Sequence, residues 1–335
     1  MYRIDMGIDL GTANVCIYMR DKGIVINQPA VVAYQPKEKK ILAVGSKAKR
    51  MLGKTPEGIE VEYPLSGGVI SNYTLAERMI KAFVKNALKK RKIWGRPNIC
   101  VCTPTGITEV ERRAVEDAVV RTGARQVFVL ESSIAAAIGT GADIMETLGH
   151  MVVDIGEGTT DIAVISAGNI AAGTSVKCAG GAYTEALARY VKRKYNVELG
   201  RLSAEDAKVE IGSVMKRKQD ITYEVKGKNL LSGLPVRLEL SANETVEAFE
   251  EQTNQIVTAI TGILETAPAE LISDVAKEGI FLSGGGSQLY GMARLLQEKT
   301  GVKVVPGDEP ENVVAAGAGM AGEYIMIQDE DKRTD

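Results

Sequence analysis

Two segments of this chain place an aspartate at the end of an apolar run and follow it with glycine and hydroxyl residues. The first is Met6-Gly-Ile-Asp-Leu-Gly-Thr-Ala-Asn-Val-Cys-Ile-Tyr18. The second is Met151-Val-Val-Asp-Ile-Gly-Glu-Gly-Thr-Thr-Asp-Ile-Ala-Val-Ile-Ser166. Each reads as strand, tight turn, strand, with Asp9 before Gly11-Thr12 and Asp154 before Gly156 to Thr159. Backbone N–H groups and hydroxyls in such turns cradle phosphate oxygens. A carboxylate at the strand end holds a hard cation such as Mg²⁺ through its waters. One Gly-Thr turn alone is most often just a hairpin turn. Two copies half a chain apart are a duplication whose turns can face each other across a cleft. A solenoid would instead repeat every 20–50 residues or about that. A third cluster, Gly284-Gly285-Gly286, follows the apolar run Gly279-Ile-Phe-Leu-Ser283 and precedes Leu289, Met292, Leu295 and Leu296 at helical spacing. It predicts strand, glycine turn and helix N-terminus, with room for a base or ribose.

Other chemistries are short of residues. His150 is the single histidine, which argues against a His/Cys zinc site and a Ser-His-Asp triad. The four cysteines, Cys16, Cys100, Cys102 and Cys178, form no CxxC pair and read as small buried hydrophobes in a reducing compartment. No GxxxxGK[ST] loop occurs. Gly11 is followed by a strand rather than a helix, so the dinucleotide-binding fingerprint is absent as well.

The elements that position these turns read as alternating α/β units. The 335 residues suit two domains or one large bilobed one. A 45% apolar content is enough for packed cores, and with 5% aromatics and 35 glycines those cores rest on aliphatic side chains and close backbone approaches. The net charge of −2 argues against a globally basic nucleic-acid binder. No apolar run approaches a membrane span, and the first residues carry no signal-peptide pattern. Pro97–Cys102 and Gln126–Glu131 read as strands. Helices are expected over 109–122 behind a Thr108/Glu111 capping box, from Ser132 to Gly139, and over 184–195, 203–215 and 244–264. Residues 221–241 alternate like a hairpin pair. The runs Lys192-Arg-Lys194 and Lys216-Arg-Lys218 read as solvated helix ends, the second as a candidate contact with a neighbouring subunit.

Together these segments resemble the actin/Hsp70/sugar-kinase superfamily and, within it, the MreB and Mbl family of bacterial actin-like shape-determining proteins. The resemblance rests on Gly7-Ile-Asp-Leu-Gly-Thr-Ala-Asn14, Val153-Asp-Ile-Gly-Glu-Gly-Thr-Thr-Asp161, Leu282-Ser-Gly-Gly-Gly286, Ala204-Glu-Asp-Ala-Lys-Val-Glu-Ile-Gly212, Pro104–Arg113 and Ala135–Gly139. It runs from about Gly7 to Gly322. It implies an actin-like, ribonuclease H-like duplicated two-lobe fold with an ATP cleft between the lobes. Lobe I would comprise 1–148 plus 312–335, with an insertion at about 33–74. Lobe II would comprise 149–311, with an insertion at about 180–243. The final helix would run from Asn312 to Ile327. The family pattern makes Gly11, Thr12, Ala13, Asn14, Gly156, Gly158 and Thr159 phosphate contacts. Asp9 and Asp154 become Mg²⁺ residues acting through water. Glu205, Lys208 and Gly284 to Gly286 become adenosine contacts. It further implies ATP/ADP with Mg²⁺, self-assembly into protofilaments on the inner face of the cell membrane, and membrane adaptors and cell-wall synthesis proteins as partners.

Two departures stand out. The family carries Glu-Glu-Pro where this chain has Glu131-Ser132-Ser133, so Ser132 replaces the glutamate credited with orienting or deprotonating the attacking water. Serine cannot act as a general base near neutral pH, and loss of a base costs roughly 10²–10⁴-fold, so slow hydrolysis with retained binding is expected. The family's three glycines read Gly156-Glu157-Gly158 here. Glu157 either supplements the Mg²⁺ shell, replaces the missing base, or points to solvent.

Lys89-Lys90-Arg91-Lys92-Ile93-Trp94-Gly95-Arg96 packs five cations around Ile93 and the only tryptophan, Trp94. An apolar pair amid cations suits an anionic membrane surface, and the family inserts an apolar loop at the matching place. The bland alternative is a solvated charge run with Trp94 folded onto the core. An Hsp70-like chaperone module would need a substrate-binding region, where only a short charged tail follows Gly322. A sugar kinase on the same fold would need a carboxylate base aimed at a substrate hydroxyl, and no such motif is evident.

Overall fold

The computed structural model of the chain describes residues 4–91, 95–322 and 324–328. Two five-stranded sheets carry the architecture, and they share one topology. In the first, Met6–Leu10 pairs antiparallel with Asn14–Met19, which pairs antiparallel with Gly23–Pro29. On its other side Met6–Leu10 runs parallel to Asn98–Thr103, followed by Gln126–Glu131. In the second, His150–Ile155, Thr160–Ser166 and Asn169–Val176 form the antiparallel meander, and Ile280–Ser283 and Val304–Pro306 are the parallel strands. The register makes the duplication concrete. Asp9 lies opposite Cys16 and Cys102, and Asp154 lies opposite Asp161 and Ser283. Each acid therefore sits near the end of a central strand, where the chain turns over the sheet edge.

Between the sheets lie two short helices, Ser132–Gly139 and Val313–Met320, rich in alanine and glycine. Small side chains let the helices approach at backbone distance: a Cβ on Gly317 would stand 1.8 Å from the Ala135 carbonyl oxygen. The core around this pair takes Cys100 and Cys102 from the first sheet and Val152, Ala163 and Ile165 from the second. The lobes thus share apolar packing. Each also has its own core, one built on Met6, Ile8, Ile17, Met79 and Phe83, the other on Val153, Ile162, Tyr183, Phe249 and Leu282. All four cysteines are buried and unpaired, as their surroundings in the sequence suggest, and burial pushes the Cys16 and Cys100 thiols up to about 12.

Smaller sheets extend from each half: Val32–Gln35 between Lys40–Val44 and Glu60–Glu62, and Thr222–Asn229 between Val197–Leu199 and Pro235–Ser241. The hairpin expected over 221–241 is present. Several helix bounds shift. The long helix starts at Ala242 rather than 244 because Ser241 caps it, with Glu244 closing a capping box. The helix expected from 184 begins at Gly180, and the one expected over 203–215 is Arg201–Ile211, ending where Gly212 leaves helical geometry. The third glycine cluster enters a 3-10 turn, Gly285–Gln288, before Gly291 at φ 86° admits the helix Met292–Thr300. The last helix begins at Val313 after the 3-10 turn Pro310–Asn312. Among the described residues no helix is long and apolar enough to cross a membrane.

Candidate functional site

The two glycine turns meet. A Cβ on Gly158 would lie 2.2 Å from Thr12 Oγ1, so only glycine lets the second turn close onto the first. Thr12 Oγ1 also accepts the Gly68 N–H at 2.8 Å, which fixes the hydroxyl. Behind the turns a cleft of about 520 Å³ opens between the lobes. Gly11, Thr12, Ala13 and Asn14 line one wall. Asp154, Gly156 and Glu157 line the other, and Asp9 lies between. Gly284, Gly285 and Gly286 complete the enclosure, with Glu205 and Lys208 from the helix Arg201–Ile211. Gly284 must be bare because its Cβ would fall 2.3 Å from the Ile155 carbonyl oxygen, where the third turn passes under the second strand.

Asp9 and Asp154 are the electrostatic anomaly of the cleft. Burial, together with repulsion from Asp161, pushes each carboxyl up to about 7. The Ser283 hydroxyl donates to Asp154 at 2.7 Å and offsets part of that. No described cation forms an ion pair with either acid, so their charge is uncompensated within the protein. That donor set fits a hard divalent cation. Among the described residues no three His, Cys, Asp or Glu side chains cluster closely enough to hold a metal directly. Mg²⁺ would therefore keep waters and ligand oxygens in its shell, as its slow dehydration favours.

Lys208 approaches the second turn from the helix Arg201–Ile211. Its Nζ is 2.8 Å from Glu205, 3.4 Å from Glu157 and 3.0 Å from the Gly180 carbonyl oxygen. Arg201 reaches Glu157 at 3.8 Å. Glu157 is thus held in an ion network on the lobe II side. Its carboxyl is raised by burial, against the lowering pull of Lys208.

Ser132 does not line the cleft. It is buried, and its hydroxyl donates to the Thr103 carbonyl at 3.0 Å. Its neighbour Ser133 shares a 2.9 Å bond with Thr105 Oγ1. The Thr105 N–H in turn donates to Asp161 Oδ1 at 2.7 Å, and Thr159 Oγ1 donates to Asp161 Oδ2 at 3.0 Å. Asp161 therefore ties the loop after the strand Asn98–Thr103 to the second glycine turn. The sequence alone does not mark it as a site residue. The signal was its place opposite Asp154 in the second hairpin.

The basic segment is only partly described. Lys89 is exposed in the last turn of the helix Tyr73–Arg91, so the cationic run begins inside a helix rather than in a loop. Arg96 is exposed, and its guanidinium donates to the carbonyls of Gly123 and Ala124 at 3.2 and 2.9 Å. Lys92, Ile93 and Trp94 lie outside the described residues, as do the side chains of Lys90 and Arg91.

Comparison with known proteins decides the family. The MreB/Mbl protein family model matches residues 3–330. The chain belongs to the MreB/Mbl family. It is 42% identical to the cell shape-determining protein MreB of Escherichia coli, over 99% of this chain and 96% of that one. It is 41% identical to the cell shape-determining protein Mbl of Bacillus cereus, over 97% of each. Its fold is the family's actin-like one. MreB5 of Spiroplasma citri bound to ADP superposes with a TM-score of 0.90 at 31% identity, covering 97% of this chain and 98% of that one. The MamK double helical filament subunit, 21% identical with a TM-score of 0.79, has the same fold.

Proposed function

We propose that the chain binds Mg²⁺–ATP in the cleft between its lobes and that binding drives assembly into filaments on the inner face of the cell membrane. Those filaments organise cell-wall synthesis and so cell shape, with membrane adaptors and wall-synthesis proteins as partners. The observation that carries this reading is the meeting of two phosphate-type turns over a buried, uncompensated acid pair, in a chain of this family. Structures of the Spiroplasma relative bound to ADP and to AMPPNP support the choice of nucleotide.

Roles follow from position. The Gly11–Asn14 and Gly156–Thr159 turns hold the phosphates from opposite lobes. Asp9 and Asp154 would hold Mg²⁺ through water, where the cation would supply charge to offset both the carboxylates and the phosphates. Gly284 to Gly286, Glu205 and Lys208 border the nucleoside. Residues 1–148 with 312–335 form lobe I and 149–311 form lobe II. Ligand bridging the two turns draws the lobes together. Hydrolysis is slow, because the Ser132 hydroxyl is committed to Thr103 and is no base. The cationic segment 89–96 supplies the membrane contact, multiplied along a filament.

Sedimentation with Mg²⁺–ATP, reading released phosphate in the same tubes, tests the proposal. Nucleotide-dependent pelleting with little phosphate is expected. Absence of pelleting in every nucleotide state, with phosphate released on addition of a peptide or sugar, would replace it with a chaperone or kinase reading.

A further inference from the structure

Glu157 stands between two glycines in the second turn, and both of its carboxylate oxygens are engaged. Oε2 lies 3.4 Å from Lys208 Nζ, and Oε1 lies 3.8 Å from Arg201 Nη2. Arg201, Glu205 and Lys208 stand at i, i+4 and i+7 in the helix Arg201–Ile211, so one face of that helix is turned to the acid. Glycine packs the carboxylate from the next helix. A Cβ on Gly180 would fall 2.6 Å from Oε2, and one on Gly181 would fall 3.1 Å from Oε1. The acid is therefore held in one place, and Arg201 is drawn to it.

Arg201 also reaches the other half of the molecule. Its Cζ lies 4.9 Å from the centroid of the Tyr63 ring, within the range where the ring's quadrupole attracts a cation. Tyr63 follows the strand Glu60–Glu62 and packs on Val31, Ala33 and Ala48. The chain is pinned beside it. The Ser71 and Asn72 N–H groups donate to the Pro64 carbonyl at 3.0 and 3.2 Å, and Asn72 Nδ2 donates to Glu62 Oε1 at 3.1 Å. The contact thus joins the small sheet of the first half to the helix Arg201–Ile211 of the second. Glu157, Glu205 and Lys208 line the cleft, whereas Tyr63 and Arg201 do not. The bridge stands at the rim, outside the cavity, and is tied into the cavity wall through Glu157.

We propose that Tyr63 and Arg201 form a clasp across the mouth of the cleft, with Glu157 as the residue that positions Arg201, and that this clasp sets how fast nucleotide enters and leaves. The inference rests on the reading of the cleft as a nucleotide site, and its test separates the two. A contact that joins the two halves must break each time the mouth opens. It lies outside the cavity and touches no ligand, so it slows entry and release alike and leaves the affinity unchanged.

Fluorescent N-methylanthraniloyl-ADP with Mg²⁺ is mixed with the full chain in stopped flow, and its release is followed on chasing with excess ADP. Arg201→Ala should speed association and release together, by about 3- to 10-fold, as the loss of one exposed cation–π contact and one exposed ion pair allows, with Kd changed less than about twofold. Tyr63→Leu should speed both by about 2- to 5-fold, the cation–π share alone. The double variant should be no faster than Arg201→Ala. Glu157→Gln should speed release in the wild-type background and add nothing in Arg201→Ala. Unchanged thermal unfolding confirms that the variants fold, and Arg201→Ala, at an exposed position, carries the test if Tyr63→Leu does not. Unchanged rates, additive effects in the double variant, or faster release with unaltered association overturn the clasp and leave the nucleotide site standing. No binding of the ADP probe by the wild type overturns both.

Discussion

At the residue scale the acids of the cleft trade stability for ligand. Asp9 and Asp154 have folded-state values near 7, above the usual carboxylate range, because burial and Asp161 oppose their charge. The folded state therefore binds protons that the unfolded chain has released. The associated stability is complete below the ordinary carboxylate value and is lost as pH rises through about 7. Without nucleotide or Mg²⁺, the urea midpoint should be higher at pH 6 than at pH 8, and Asp154→Asn should shrink that difference. The same variant should raise the ligand-free midpoint at pH 8 while weakening Mg²⁺–ADP at least about tenfold, since it removes a buried charge that only the cation offsets. Unchanged Mg²⁺-dependent binding and assembly would remove Asp154 from the site. Ser132 poses the converse question. Ser132→Glu should raise phosphate release by about tenfold or more, with ADP affinity nearly unchanged. An unaltered rate would mean that another group, such as the Asp161-held Thr159, positions the water.

At the scale of elements the Ser132–Gly139 and Val313–Met320 helices are the tightest joint. Gly317→Ala drives a methyl into the Ala135 carbonyl. Overpacking of that kind costs about 1–3 kcal/mol, so thermal unfolding of the variant should begin several degrees earlier. An unshifted midpoint would mean that the two helices separate easily. The membrane contact proposed for the cationic run, which begins inside the helix Tyr73–Arg91, is tested separately from the cleft. Replacing Ile93 and Trp94 by serine should release the protein from vesicles containing anionic lipid without lowering nucleotide binding, as co-flotation would report.

At the scale of the whole molecule two sheets of one topology are joined through a common core, so packed helices rather than a linker connect the lobes. A ligand that touches both turns and binds only the folded chain stabilises it by mass action, about 2.7 kcal/mol at a hundredfold excess over Kd. Mg²⁺–ADP should therefore raise the unfolding midpoint, and EDTA should reverse most of the rise.

The two strand–turn–strand segments with their acids and the third glycine cluster were legible because each is encoded within about a dozen consecutive residues. Strand periodicity ends at an aspartate and glycine marks the turn, so local chemistry and local geometry coincide. The duplication gave the two-lobe plan for the same reason. The long-range contacts around the cleft were not legible. Asp161 joins Thr105 across 56 residues, Lys208 joins Glu157 across 51, and Arg217 stacks on Tyr290 from a run that reads as solvated charge. Nothing local distinguishes Arg217 from Lys216 or Lys218. Only the folding of Gly212 to Tyr290 against Ser213 turns one cation of the three onto an aromatic ring in the cleft, because that outcome depends on which distant backbone supplies the hydrogen bonds.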